Sequence, residues 1–276
     1  MLTRSKFNCV KEMLGLPEAA RAFQDAGITA LIHDPRSVGQ SDGNPRNDVD
    51  PFRQVGDYSD ALTFLGSLHS VDPNRMGVWG ISLSGAVALC ATSFDKRAKL
   101  VIAVCPAAEY RYNHDKLPKV LAKCFQDRQS QVKGNPPFYL PMLSDSGENP
   151  AGFEFGFERE KAAQMVAAGN EGKELAPGHV NRTTVQSYHK LMMWQPWSMW
   201  KYLDPTPVMF IVPEDDNLCP AEVQMRHFLA LTGPKRSHIQ AGRGHMDILE
   251  GDSFADLMAL QIQFIRDALD GTVSKE

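Results

Sequence analysis

Gly80-Ile81-Ser82-Leu83-Ser84-Gly85 is the stretch that decides the fold of this chain. It follows a predicted strand at residues 75–79 and opens a run of small apolar residues that is typical of a buried helix. In such a strand-turn-helix the serine backbone is strained, and its hydroxyl stands above the sheet at the helix N-terminus. Ser82 is therefore a candidate nucleophile, although serine also favours an ordinary helix N-cap. The stretch departs from the strict Gly-x-Ser-x-Gly form, because Ser84 holds the fifth place.

Two later predicted strands are followed by an acid and a histidine that could activate this serine as a nucleophile. The apolar run at residues 206–213 is followed at once by Glu214, Asp215 and Asp216, and the predicted strand at residues 236–241 leads to His245. A serine, an acid and a histidine in this order, each after a buried parallel strand, is the arrangement of α/β-hydrolases. The sequence therefore predicts that the three side chains meet at one edge of a sheet.

The choice of acid rests on the turn that follows it. Only one of three adjacent carboxylates can point at the imidazole. We choose Asp216, because Pro220 can start the next helix and the acid then lies at the apex of the turn. Asp215 is the structural alternative. His245 is chosen over the other histidines, which are expected on the surface or in satisfied core positions: His33, His69, His114, His179, His189, His227 and His238.

Composition restricts the function classes. The chain has 276 residues, 43% of them hydrophobic, with a formal net charge of −4 and a pI of about 6.1. Neither a nucleic-acid partner nor an anionic membrane surface is expected from this charge. No apolar run is long enough for a membrane span. We expect reduced, buried thiols, because the cysteines are odd in number, lack C-x-x-C spacing and in several cases lie in apolar runs: Cys9, Cys90, Cys105, Cys124 and Cys219. No metal and no cofactor is expected.

The order of predicted elements indicates an α/β fold. Strands at 28–33, 75–79 and 99–105 alternate with helices at 17–25, 51–68 and after Ser82, which predicts a mostly parallel sheet with helices on both faces. Proline-rich residues 106–200 break this rhythm and contain helical patterns near 116–127, 158–169 and 183–193. We therefore divide the chain into a first core part (1–105), a mainly helical cap insertion (106–200) and a second core part (201–276).

The predicted cap is rich in aromatic side chains. Set over the carboxyl edge of the sheet, such a cap would give the substrate apolar, ring-lined walls, which favours a hydrophobic acyl chain. Equally, the rings could simply hold an irregular insertion together. The residues concerned are Tyr110, Tyr112, Phe125, Phe138, Tyr139, Phe153, Phe155, Phe157, Tyr188, Trp194, Trp197 and Trp200.

Several motifs together resemble the fungal polyketide-transferase and thiohydrolase family of α/β-hydrolases, whose members include hydrolases of host-selective toxin pathways. They are Asp34-Pro35-Arg36-Ser37-Val38-Gly39-Gln40-Ser41-Asp42-Gly43, Asp57-Tyr58-Ser59-Asp60-Ala61-Leu62, Trp79 to Gly85, Asp216-Asn217-Leu218-Cys219-Pro220 and Gly242-Arg243-Gly244-His245-Met246-Asp247. The resemblance implies acyl chemistry on a polyketide or fatty-acid-like ester or thioester, with Ser82, Asp216 and His245 at the triad positions.

The beginning of the chain departs from the family pattern. Ser5-Lys6-Phe7 stands where the family has a His-Gly-Phe loop, and the strands that usually lead into this loop are expected to be missing. In this fold the oxyanion is held by the N–H of Leu83 and by the N–H matching Phe7. With no strand to anchor the loop, we expect a mobile second donor and an open sheet edge.

The first hypothesis is therefore a serine hydrolase or acyltransferase in which His245 takes the Ser82 proton and Asp216 orients the imidazole. Hydrolysis and transfer share every step up to the acyl-enzyme. The second hypothesis is a catalytically impaired or non-catalytic binder of an apolar ligand, derived from the same fold.

The expected partner is a small apolar acyl molecule, which a carrier could present, and a homodimer is left open. The location expected is intracellular, in the cytoplasm or in the peroxisome, because Ser274-Lys275-Glu276 is a weak match to a peroxisomal signal.

Overall fold

Six parallel strands form an open central sheet in this computed structural model, which describes residues 1–4, 6–155, 159–170 and 176–275. Strands β2, β1, β3, β4, β7 and β8 lie side by side in that order, and β5 pairs with β6 in a separate antiparallel ribbon. In chain order the strands are β1 (Leu2–Arg4), β2 (Leu31–Ile32), β3 (Val78–Ile81), β4 (Val101–Val104), β5 (Tyr139–Leu140), β6 (Thr183–Thr184), β7 (Val208–Pro213) and β8 (Lys235–Gln240).

Eight α-helices accompany the strands in the described part of the chain. They are α1 (Leu16–Asp25), α2 (Pro51–Gly66), α3 (Leu83–Phe94), α4 (Leu117–Val132), α5 (Arg159–Asn170), α6 (Val185–Met193), α7 (Ala221–Leu229) and α8 (Phe254–Leu269). Prolines mark several starts, because a proline near the first helical position loses no hydrogen bond there. Pro17 and Pro51 lie in the first turns of α1 and α2, and Pro220 is the N-cap of α7.

The core forms on both faces of the sheet because successive strand residues point in opposite directions. On one face Trp79, Ile102 and Ile211 pack with α1 and α8, and on the other Val78, Val101 and Phe210 pack with α2, α3 and α7. Helices cover both faces, and the predicted α/β fold with a parallel sheet is confirmed.

The bounds of two strands differ from those predicted, one at the edge of the sheet and one in its interior. The predicted strand at 28–33 is reduced to β2, only two residues long. The predicted strand at 75–79 lies instead at Val78–Ile81, because Pro73–Arg75 forms a short 3-10 helix. β2 lies at the edge of the sheet and pairs with one strand only. The length of such a strand depends on that pairing as well as on its apolar composition.

The start of the chain corrects one expectation. Leu2–Arg4 is a strand, and it pairs in parallel with both neighbours, Leu2 with Leu31 of β2 and with Val78 of β3. The expectation that no strand anchors the Phe7 loop was therefore wrong. Three residues are too short a stretch to show the alternation by which a strand is recognised.

The residues between β4 and β7 contain α4, α5, α6 and the β5–β6 ribbon. The apolar side chains of this segment, including Val120 and Leu191, belong to the same core cluster as Leu62 and Phe210. The division at 106 and 200 stays a prediction, and Phe157 and Glu158 of the predicted cap lie outside the described residues.

Candidate active site

Ser82 stands at the junction of β3 and α3 with a positive φ of 61°. Such a backbone conformation is costly for a residue that carries a Cβ, and it persists only when its surroundings hold it. Four backbone hydrogen bonds do so here. The N–H of Ser82 donates to the carbonyl of Val104 (2.8 Å), and its carbonyl accepts from the N–H groups of Gly85 (2.9 Å), Ala86 (3.2 Å) and Ala107 (3.1 Å).

The neighbours of Ser82 are small because the turn has no room for more. A Cβ at Gly80 would lie 2.2 Å from the carbonyl oxygen of Ser84, so no other residue fits this position without moving the backbone. The Tyr58 hydroxyl lies 3.2 Å from the carbonyl oxygen of Trp79 and 3.3 Å from that of Ser84, and supports the turn from α2.

A continuous chain of hydrogen bonds joins Ser82, His245 and Asp216. The distance from Ser82 Oγ to His245 Nε2 is 2.7 Å, and from His245 Nδ1 to Asp216 Oδ2 it is 2.8 Å. With its Nδ1 proton donated to the carboxylate, the imidazole has Nε2 free to accept the serine proton. Ser82 does not cap α3 with its side chain, so the ordinary N-cap interpretation does not describe it.

The loop after β7 presents Asp216, and not its neighbours, to the imidazole. Asp216 Oδ1 accepts from the N–H groups of Leu218 and Cys219, both at 2.9 Å, while Oδ2 also accepts from Nε2 of Gln224 (2.9 Å). Asp215 and Glu214 are exposed instead. Buried carboxylates need such donors, and these fix the carboxylate beside His245.

The pKa of His245 is raised to about 9. Burial of the imidazole lowers this pKa, but electrostatic interaction and hydrogen bonds with Cys105 and Asp216 outweigh that effect. Cys105 Sγ lies 4.0 Å from His245 Nε2, and Cys105 itself has a positive φ of 38° at the end of β4. An imidazolium is therefore stabilised in this pocket, as a general base that must become cationic requires.

Leu83 and Phe7, whose backbone N–H groups are predicted to hold the oxyanion, lie in the turn after β3 and in the loop after β1. Leu83 is the first residue of α3, where an N–H has no partner within the helix. No hydrogen bond from the Phe7 N–H to another described residue is found. The Phe7 ring is buried and stacks on Phe155, with centroids 5.1 Å apart.

Lys6 is a feature of the site that sequence reasoning missed. Its side chain is buried, and its Nζ donates to the backbone carbonyl of His245 (2.6 Å), so the loop after β1 is tied to the loop after β8. No ion pair among the described residues involves Lys6. The only sequence signal was a lysine where the family pattern has glycine. Cys105 and Gln224 gave no signal that would have separated them from other core residues.

Several curated fungal proteins are similar to this chain in sequence. The chain is 49% identical over 260 residues to a thiohydrolase of Eupenicillium brefeldianum, covering 94% of this chain and 83% of that protein. It is 44% identical over 253 residues to the polyketide transferase claH of Penicillium crustosum, covering 90% and 81%. No protein-family model matches the chain.

Solved structures of two proteins are similar to this chain over nearly its whole length. The α/β-hydrolase GrgF from Penicillium sp. sh18 is similar with a TM-score of 0.85 and 34% identity, over 98% of this chain and 90% of that chain. The structure of DcsB in complex with its substrate analogue is similar with a TM-score of 0.87 and 38% identity, over 97% and 90%.

The chain belongs to the family of fungal thiohydrolases and polyketide transferases. This confirms the predicted resemblance and, with it, the α/β-hydrolase fold. Among the residues that the structure describes, no group of three or more His, Cys, Asp or Glu side chains could hold a metal ion. None of the described helices is both long and apolar enough to cross a bilayer. All five cysteines are buried and free of disulfide bonds, as predicted.

Two cavities of this protein share Phe153 in their linings. The aromatic cavity, of about 270 Å³, is lined by residues that include Ala108, Tyr110, Tyr112, Trp194 and Trp197. The polar cavity, of about 380 Å³, includes Arg111, Lys116 and Asn217, the residue after Asp216.

The aromatic residues of the predicted cap thus divide into two groups. Tyr110, Tyr112, Phe153, Trp194 and Trp197 line a cavity, as predicted for a ring-lined pocket. Others hold the segment together: Tyr188 is fully buried between the rings of Phe7 and Phe153, and Trp200 packs on Phe210.

Proposed function

We propose that this chain is a serine hydrolase or acyltransferase acting on an apolar acyl ester or thioester, with Ser82 as nucleophile, His245 as general base and Asp216 as its orienting carboxylate. The observation that carries the proposal is the hydrogen-bond chain from Ser82 Oγ through His245 to Asp216, at 2.7 and 2.8 Å. The strained backbone of Ser82 supports it, since strain persists mainly where function requires it.

In the first half of the reaction, Ser82 Oγ attacks the acyl carbonyl carbon while its proton passes to His245 Nε2. The carbonyl oxygen becomes an oxyanion, which the N–H groups of Leu83 and Phe7 stabilise. The carbon–sulfur or carbon–oxygen bond then breaks, and His245 gives the proton to the leaving thiol or alcohol. The product is an ester of Ser82.

In the second half, water or an acceptor hydroxyl attacks the Ser82 ester, and His245 takes the proton of the attacking group. Collapse of the second oxyanion breaks the bond to Ser82 Oγ, which regains its proton from His245. Water yields a free acid and an acceptor yields a new ester. The two outcomes differ only in which nucleophile the site admits.

The substrate we propose is a polyketide or fatty-acid-like acyl group. The aromatic cavity supports this, because rings such as Tyr110, Phe153 and Trp197 offer apolar contact to a hydrocarbon chain. The names of the relatives support it as well. From the resemblance to toxin-pathway hydrolases we further propose a role in fungal secondary-metabolite biosynthesis, which metabolite profiling of a deletion strain would test.

We also propose that the acyl group can arrive on a carrier. The polar cavity next to Asp216 supports this, because Arg111 and Lys116 could face the phosphate of a carrier arm. The test compares kcat/KM for one acyl group on pantetheine and on phosphopantetheine. The carrier proposal would be refuted if kcat/KM were equal for the two thioesters and if Arg111→Ala left both values unchanged.

The alternative of a non-catalytic binder rested on an unanchored Phe7 loop. That argument loses its basis, because β1 leads directly into this loop and lies between two strands of the sheet. We therefore retain the hydrolase as the proposal.

The decisive experiment is covalent labelling with a fluorophosphonate. The wild-type protein should be labelled, and Ser82→Ala should lose labelling and lose turnover by about a millionfold, if the three residues act as a unit. Ser84→Ala is the matched control, because it removes a buried hydroxyl two residues away, and it should still be labelled. Labelling that persists in folded Ser82→Ala would disprove the assignment.

A second measurement separates hydrolysis from transfer. Mass spectrometry of the products from a medium-chain acyl thioester, with and without an added alcohol, identifies which nucleophile resolves the acyl-enzyme.

A further inference from the structure

Asn8 is a buried polar residue in the loop after β1, next to Phe7, whose N–H is proposed to hold the oxyanion. The N–H of Cys9 donates to the carbonyl of Lys6 (3.3 Å), so these four residues form a turn with Phe7 and Asn8 in its middle. Asn8 has a positive φ of 50°. Glycine and asparagine adopt such a φ most readily at this position of a turn. Asn8 therefore suits the backbone of the turn that presents Phe7.

This turn lies beside the turn that carries Ser82. Strands β1 and β3 are adjacent and parallel, and Arg4, the last residue of β1, pairs with Gly80, two residues before Ser82. The carboxyl ends of adjacent parallel strands lead to the same edge of a sheet. At that edge, Lys6 Nζ donates to the carbonyl of His245. The loop after β1 is therefore connected to the hydrogen-bonded residues of the site.

The side-chain amide of Asn8 connects the turn to two other segments. Its Nδ2 donates to the carbonyls of Val180 (3.1 Å) and Arg182 (3.2 Å), just before β6, and its Oδ1 accepts from Nδ2 of Asn47 (3.2 Å). The carbonyl of Asn47 in turn accepts from the N–H of Thr184 in β6 (3.1 Å). Asn8 is only 2% exposed, so these bonds are made away from water. Removing the amide would leave their partners buried and unpaired.

Three successive residues thus hold the turn through different contacts. Lys6 reaches the loop that carries His245, the ring of Phe7 stacks on Phe155 at 5.1 Å, and Asn8 bonds to the carbonyls before β6. The last two contacts both go to the insertion between β4 and β7. The insertion therefore takes part in fixing the backbone around Phe7.

We propose that Asn8 is a positioning residue of the hydrolase: by binding the carbonyls of Val180 and Arg182, its amide lets the insertion hold the Phe7 N–H in place for the oxyanion. This inference rests on the proposed function and adds to it that the second oxyanion donor depends on the insertion as well as on β1. Asn8 itself does not touch the substrate. Because an oxyanion donor acts mainly in the transition state, its misplacement lowers kcat and leaves KM nearly unchanged.

The test uses Asn8→Gly, because glycine keeps the positive φ and removes only the amide. With a medium-chain N-acetylcysteamine thioester we expect kcat to fall roughly tenfold to a hundredfold, with KM within about twofold of the wild-type value. Asn47→Gly is the second variant. Asn47 also has a positive φ, of 54°, and this change removes one bond of Asn8 without altering the turn, so it should give a smaller fall in kcat.

A trifluoromethyl ketone distinguishes positioning from general destabilisation. Ser82 Oγ bonds to the ketone carbon, its proton passes to His245 Nε2, and the carbonyl oxygen becomes an oxyanion as in the reaction. The inhibition constant should therefore rise in Asn8→Gly by the same factor by which kcat/KM falls.

Gln186→Ala is the matched control. Gln186 is a buried amide of α6, in the same insertion, and its Nε2 donates to the carbonyl of Cys124 and to Asp127 Oδ2. Its loss should lower the melting temperature but leave kcat and the inhibition constant unchanged.

The outcomes separate this inference from the proposed function. Fluorophosphonate labelling of the wild type, with unchanged kcat and inhibition constant in folded Asn8→Gly, would overturn the inference and keep the hydrolase. An equal loss of kcat in Gln186→Ala would also overturn it, because any buried amide of the insertion would then have the same effect. Where Asn8→Gly does not fold, a wild-type kcat in folded Asn47→Gly would be the contrary result. Folded wild-type protein that is not labelled would refute the hydrolase itself.

Discussion

Gly80 illustrates how tightly single residues constrain the turn that carries Ser82. The positive φ of Ser82 brings the first turn of α3 back over β3, and the Ser84 carbonyl then occupies the space of a side chain at position 80. Sequence reasoning predicted this requirement, because close approach of strand and helix is a general property of such turns. Ser82, Asp216 and His245 were chosen from the sequence because each follows a predicted buried strand, and the structure brings their side chains together. Their catalytic roles stay a prediction.

Gly80→Ala should therefore destabilise the protein by about 2 kcal/mol or more, since backbone must move to admit the methyl group. Urea unfolding measures the change. Gly56→Ala is the matched control, because Gly56 lies in α2 with no atom within 4 Å of the added Cβ, and alanine should stabilise that helix by about 0.5–1 kcal/mol. Equal stability of the Gly80 variant and the wild type would contradict this description of the turn.

His245 leads to a prediction about pH. Only the neutral imidazole can accept the Ser82 proton, and its pKa is raised to about 9. Below that value kcat/KM should rise about tenfold per pH unit, levelling off above pH 9. The stabilisation of the folded state by the charged imidazole is present below pH 6.5 and lost as pH rises through 9.

Cys105→Ala should move the rising limb of this profile to lower pH, because the cysteine raises the pKa of His245. Cys124→Ala, in α4 and remote from His245, is the control and should leave the profile in place. A profile that is identical in Cys105→Ala and the wild type would show that Asp216 alone sets the pKa.

At the scale of elements, β1 and β8 are connected through their following loops. Lys6 follows β1 and donates to the carbonyl of His245, which follows β8, although three strands separate β1 from β8 in the sheet. The loop that carries Phe7 and the loop that carries His245 thus hold each other in place. Sequence patterns predicted the longer helices and central strands, but a three-residue strand and a single buried lysine carry no periodic signal.

Lys6→Met should lower kcat by roughly tenfold to a hundredfold with little change in KM, because the Phe7 N–H loses its fixed position but the acyl cavity does not. Thermal stability should stay equal or rise, since methionine fills the volume without a buried charge. Lys133→Met, exposed at the end of α4, is the control. An unchanged kcat in Lys6→Met would mean that the tie has no role in the reaction.

At the scale of the whole molecule, the hydrophobic core continues from the sheet into the segment between β4 and β7. One cluster of buried side chains includes Leu62 and Phe210 beside the sheet and Val120 and Leu191 in the segment between β4 and β7. Hydrogen bonds add to this contact: the Val49 N–H donates to Ser187 Oγ at 2.8 Å. Composition predicted an insertion at residues 106–200, but it carried no signal of how closely this segment would pack on the remainder.

We therefore expect one cooperative unfolding transition. Tryptophan fluorescence reports both on Trp79 in β3 and on Trp194, Trp197 and Trp200 in the insertion, and its midpoint should coincide with that of far-UV circular dichroism. Calorimetry should show a single peak. Two resolved transitions would mean that the insertion unfolds by itself.

The hydrogen bond between Ser82 and His245 spans 163 positions of the chain. During translation, β3 and its turn emerge from the ribosome long before β7 and β8 exist, so the nascent serine has neither its base nor its carboxylate. On the proposed mechanism the serine thus has no partner to take its proton until synthesis is almost finished, and a product of premature termination before residue 245 should lack thioesterase activity.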